Sequence, residues 1–155
     1  MNGKDTELCY RRVAVEQATS AGLCVILYDM LVGELRHAIV AMREGDIEER
    51  SRRLKHAFSI LEVMDGSVDL QREGPAAKSL SQFYGFLRNR LLAAQFDSDD
   101  QMLEDQIRLI LDVREAWRRA DKDTLLRSHD SNESTAMPRS SLIETEVTAT
   151  SQWIA

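Results

Sequence analysis

Residues 20–43 read SAGLCVILYDMLVGELRHAIVAMR, and within them VILYDM at 25–30 sets a tyrosine and an aspartate in a run otherwise apolar from Leu23 to Val32. Leu23, Leu27, Met30, Leu31, Leu35, Ala38 and Met42 recur at helical spacing, so the segment reads as one helix with that stripe turned inward. Ser20 is placed to cap the orphan amides of the first turn, and Glu44-Gly45-Asp46 ends the helix after Arg43. A helix that only filled a core would not need the charge of Asp29, and a membrane span would be longer and carry fewer polar groups. What the helix packs against therefore decides how Tyr28 and Asp29 are used.

Three more helical patterns follow. From Asp46 to Val68 the inward stripe is Ile47, Leu54, Ala57, Phe58, Leu61 and Met64. Pro75 suits a first helical turn, where a missing amide costs nothing, and Ala77, Leu80, Tyr84, Leu87 and Leu91 continue that helix to Phe96. The acids of DSDD at 97–100 favour the positive end of a last helix, whose stripe is Leu103, Ile107, Ile110 and Trp117 and whose end is basic at Arg118, Arg119 and Lys122. Few glycines and prolines and short connections predict an all-α protein, an antiparallel up-and-down four-helix bundle at residues 20–120. An N-terminal arm, 1–19, and a flexible, disordered C-terminal tail, 121–155, flank it; residues 128–155 carry four acids against one Arg. The apolar Leu142, Ile143, Val147 and Trp153 leave folding of part of the tail onto the bundle as the other reading.

The formal charge of −6 leaves no basic excess for nucleic acid or an anionic membrane surface. No apolar run approaches the roughly 20 residues of a membrane span, and MNGKDTELCYRR has no signal-peptide core. The expected place is the cytoplasm, with Cys9 and Cys24 as reduced thiols.

Helical bundles can hold metal pairs through two Glu-x-x-His motifs, but only Glu34 and His37 have that spacing; Arg53 precedes His56 and Leu126 precedes His129 at the same interval. Neither a metal, a cofactor nor a catalytic constellation is expected, and Asp29 has no His or Cys arranged around it. The surplus hydrophobics are more informative. Cys24, Val25, Tyr28, Val32 and Ile39 fall off the first stripe, Ile60 and Val63 off the second, Phe83, Phe86 and Leu92 off the third, and Met102, Leu109, Leu111 and Val113 off the fourth. Either the core is wide, with a homodimer covering the remainder, or the second faces offer a groove to another helix.

Taken in order, Tyr10, Val15, ATS at 18–20, ILYD at 26–29, SVDL at 67–70, EGPAAKSLSQFYGFLRNRL at 73–91 and REAW at 114–117 resemble the flagellar secretion chaperone FliS family. The resemblance implies a non-catalytic helical bundle that binds the C-terminal segment of flagellin along apolar exterior grooves and delivers it for export. It also implies an arm able to cover the groove and docking of the loaded chaperone to the export gate protein FlhA. Ser20 stands where the family usually has Pro, Met30 where Gly often follows LYD, and Glu73-Gly74 where Gly-Gly is usual. The expected groove residues are Ile60, Val63, Phe83, Phe86, Leu109 and Val113, with Tyr10 as the plug on the arm. Asp29 is expected to pair with Arg114, tying LYD to REAW and Trp117, while Tyr28 needs a partner for its hydroxyl. A helical dimerisation or signalling adaptor without flagellin binding is the competing class.

Overall fold

The computed structural model describes residues 3–69 and 74–134. Among them are five helices and no strand: α1 Gly3–Gln17, α2 Ser20–Glu44, α3 Ile47–Gly66, α4 Pro75–Asp97 and α5 Asp100–Ser134. The fold is all-α, but the expected arm is itself a helix. The expected tail also begins as helix, since α5 continues to Ser134; the readings that fall on 135–155, including Leu142, Ile143, Val147 and Trp153, lie outside the described residues. Two compact units divide the chain at Asp121; the described part of the second is the helical stretch 122–134, in which Leu125 and Leu126 are exposed.

Local chemistry sets the boundaries. The cap of α2 is Thr19, whose side chain accepts from the Gly22 amide at 3.0 Å, so Ser20 is the first helical residue and not the cap. Thr19 also donates to Asp121 at the other end of the chain's first unit. A Cβ on Gly22 would lie 3.3 Å from Thr19 Oγ1 and 3.4 Å from Asp121 Oδ1, so glycine permits the close approach of this junction. At its other end α2 stops in a Schellman turn: Gly45 takes φ 72°, and the Asp46 amide reaches back to the Ala41 carbonyl at 2.9 Å. Asp46 then caps α3 by accepting from the Glu49 amide at 2.9 Å. Pro75 opens α4, and Asp99 accepts from the Met102 amide at the start of α5.

One apolar cluster joins α2, α3, α4 and α5. The predicted stripes of α3, α4 and α5 hold in outline, although Ile47 is exposed and Trp117 is half-buried. The stripe of α2 is turned: Tyr28, Leu31, Val32, Leu35, Ala38 and Ile39 are buried, whereas Leu23 and Met30 are exposed. A helix with apolar residues on most of its circumference fits either phase by spacing alone. Neighbours on three other helices select the one that buries Tyr28.

Ser98, at the end of α4, is a non-glycine residue in the left-handed region, φ 52°. Ser98→Gly should raise stability by about 0.5–1 kcal/mol, because glycine adopts this backbone without steric cost. Gly45→Ala should lower it by about 1 kcal/mol for the opposite reason. Urea midpoints at constant m-value check both.

Candidate binding surfaces

A hydrogen bond within the core joins two helices. Tyr28 of α2 and Tyr84 of α4 are 0% and 2% exposed, with their hydroxyl oxygens 3.0 Å apart. Trp117 of α5, half-buried, packs against the same core. The Tyr28 O–H donates to the Tyr84 oxygen. Burial raises both tyrosine pKa values above the ordinary one, most strongly for Tyr84. The rings lie 6.3 Å apart at 48°, a tilted arrangement.

One residue along α2, the Asp29 carboxylate faces Arg114 of α5. Arg114 Nη2 donates to Asp29 Oδ2 at 3.1 Å, while Nε lies 2.5 Å from Oδ1 but off the line of its N–H. Half of the Asp29 side chain is exposed, so solvent weakens the pair to at most about 1 kcal/mol. LYD and REAW are thus joined by a rim ion pair, beside the buried Tyr28–Tyr84 hydrogen bond. Nearby, Glu34 is engaged by Arg53 at 3.3 Å and by His56 at 3.6 Å.

Two surfaces around this frame are apolar. The first is a cleft of about 770 Å³ between α1 and α2, lined in part by Leu8, Val15, Ile26, Met30 and Gly33 and rimmed by Arg11, Arg12, Asp29 and Glu34. No residue of α1 is buried. Tyr10, the expected plug, lines this cleft and is 79% exposed. Leu8 and Val15 were missed because two apolar residues seven apart in a charged arm are too thin a signal.

The second surface follows from helix geometry. Ser81 and Arg88 of α4 reach Asp65 of α3, at 2.9 and 3.8 Å. Phe83, Phe86 and Arg90 lie on the other side of the α4 core stripe, turned towards α5. On α5, Asp100, Glu104 and Arg114 meet α2, which leaves Gln106, Leu109 and Val113, at spacings of three and four, on the flank towards α4. Phe86 and Leu109 are exposed, and Phe83 and Val113 are half-buried against the core. Four of the six expected groove residues therefore flank one seam. Ile60 does not: only 9% exposed, it belongs to the core, because its neighbours on three helices close over a face that spacing left open. Val63 is exposed on α3.

The family described as Flagellar protein FliS matches residues 3–124. The chain belongs to the FliS family. Proteins named Flagellar secretion chaperone FliS resemble it: that of Vibrio cholerae is 30% identical over 70% of this chain and 82% of its own, and that of Salmonella typhimurium 29% identical over 70% and 84%. That of Bacillus subtilis is 27% identical over 72% of this chain and 82% of its own. The FliS match spans α1 to α5, so the helical arm and both apolar surfaces fall inside the family's extent.

Because Tyr28 and Tyr84 hold their protons in the folded state beyond the ordinary tyrosine pKa of about 10, the unfolded chain releases protons first as pH rises. Stability from these groups is intact below pH 10 and falls above it, by about 1.4 kcal/mol per pH unit for each tyrosine. Tyr28→Phe should cost about 1–2 kcal/mol at pH 7 through the lost hydrogen bond to Tyr84, yet flatten the fall between pH 10 and 11. Urea unfolding at pH 7, 10 and 11 reads both effects.

Proposed function

We propose that this member of the FliS family is a cytoplasmic, non-catalytic export chaperone that binds the C-terminal segment of flagellin, prevents its premature polymerisation and delivers it to the flagellar type III export apparatus. The observation that carries this reading is the apolar surface left uncovered on a well-filled core: the α1–α2 cleft and the α4–α5 seam, on a chain whose relatives are named flagellar secretion chaperones. A bundle that only had to be stable would not leave Phe86, Leu109 and Met30 in water together. No helix is long and apolar enough to cross a membrane among the described residues, which fits a client handled in water.

The bundle of α2–α5 is read as antiparallel and up-and-down. Ties between α2 and α5 run in opposite chain directions, from Thr19 with Asp121, through Asp29 with Arg114, to Arg43 with Asp100, and this order supports the reading. The client segment lies along the exterior grooves, with Val63, Phe83, Phe86, Leu109 and Val113 as contributors. No residue of α1 is buried, so its displacement costs little and the loaded protein can present a different end to FlhA. The same exposed surface can hold a second copy when no client is present.

Isothermal titration with the C-terminal segment of flagellin from the same organism tests the function. One-to-one saturable binding with a large negative heat-capacity change is expected, since coupled folding buries apolar area. Absence of heat together with a concentration-dependent homodimer would favour a dimerisation adaptor instead.

A further inference from the structure

The α4–α5 seam contains two polar groups that the bundle leaves unsatisfied. Gln106 is 1% exposed, and neither its Oε1 nor its Nε2 has a hydrogen-bond partner. Arg90 Nε is likewise buried without one, and among the described residues no carboxylate pairs with the Arg90 guanidinium, which lies 5.9 Å from the centre of the Phe86 ring. Arg50 Nε is buried without a partner too, although the Arg50 guanidinium reaches the Ser98 hydroxyl. Arg43, Arg53, Arg88 and Arg114 are all held by carboxylates from other helices.

A buried amide with neither function satisfied costs about 1–3 kcal/mol, and apolar residues at such a position would be tolerated better. A chain with a formal charge of −6 has acids in excess, yet none is supplied to Arg90. Helical spacing puts both groups on the facing flanks of α4 and α5, beside Phe86 and Leu109.

Resting on the chaperone reading, we propose that the α4–α5 seam is the part of the groove that selects the client: it takes a segment in which an Asp or Glu adjoins apolar side chains. The carboxylate pairs with Arg90, the apolar side chains cover Phe86 and Leu109, and the segment's backbone satisfies the Gln106 amide as those two residues part. An isolated cation beside an aromatic ring, at the edge of an apolar seam, is complementary to that chemistry and not to a basic or purely apolar segment. Arg90 and Gln106 are then specificity residues for a client whose apolar faces alone would fit many partners.

The test uses the full chain, the flagellin C-terminal segment, and the same segment with every Asp and Glu changed to Asn and Gln. The native chain should bind the neutralised segment about tenfold more weakly, as loss of a charge-assisted hydrogen bond requires. Arg90→Gln should bind the unmodified segment about tenfold more weakly and no longer distinguish the two. Gln106→Leu should raise the Tm of the free protein while weakening client binding, a pairing that simple loss of fold cannot produce. Equal affinity of the native chain for both segments overturns the selection proposal alone, as does an Arg90→Gln variant that still discriminates. Undiminished binding by Gln106→Leu overturns the role of the amide. Absence of binding to either segment overturns the chaperone reading and this proposal with it.

Discussion

A tyrosine hydroxyl taken out of water must find a partner, and that constraint organises the bundle. Tyr28 satisfies it by donating to Tyr84, which requires α2 and α4 to present one residue each at a single point. Few apolar side chains impose so narrow a condition, because dispersion has little direction. Once Tyr28 is placed, the phase of α2 is set. Leu31, Val32, Leu35 and Ile39 turn inward with it, and Met30 is carried out to the cleft beside α1.

The ion pairs reinforce this arrangement more than they stabilise it. Arg43 holds Asp100 and Glu104, and the Arg43 hydrogen bond keeps the Asp100 carboxyl below its usual pKa. These groups are exposed and each contributes little. Their use lies in register: Thr19, Asp29 and Arg43 mark successive levels along α2, and each finds its partner at a corresponding level of α5. Sliding one helix by a turn would break all of them together.

The same packing decides where apolar surface is left over. A helix in a bundle fills about three positions in seven with core contacts, and the additional apolar residues of α4 and α5 must then sit on the flanks. Phe86 and Leu109 become exposed by that geometry, and Gln106 is enclosed without a partner. Uncovered apolar flanks on a cross-braced frame separate binding from stability.

The helical type and approximate ends of α2, α3 and α4 were legible in the sequence, because periodicity, Pro75, Gly45 and Asp46 act locally. The family was legible too, since short motifs in a fixed order survive where overall identity is low. The helical arm, the cap at Thr19 and the continuation of α5 to Ser134 were not, as these stretches are too polar for periodicity to register. Which apolar residues form the core was decided only in three dimensions. Val32, Ile39 and Ile60 are chemically indistinguishable from Met30, Val63 and Leu109 as entries in a spacing pattern, and burial separates them solely through what the other helices bring opposite each one. The sequence determines which elements form because hydrogen bonds within a helix connect near neighbours. Tertiary structure decides which face of each is free to bind, because that depends on contacts between residues far apart in the chain.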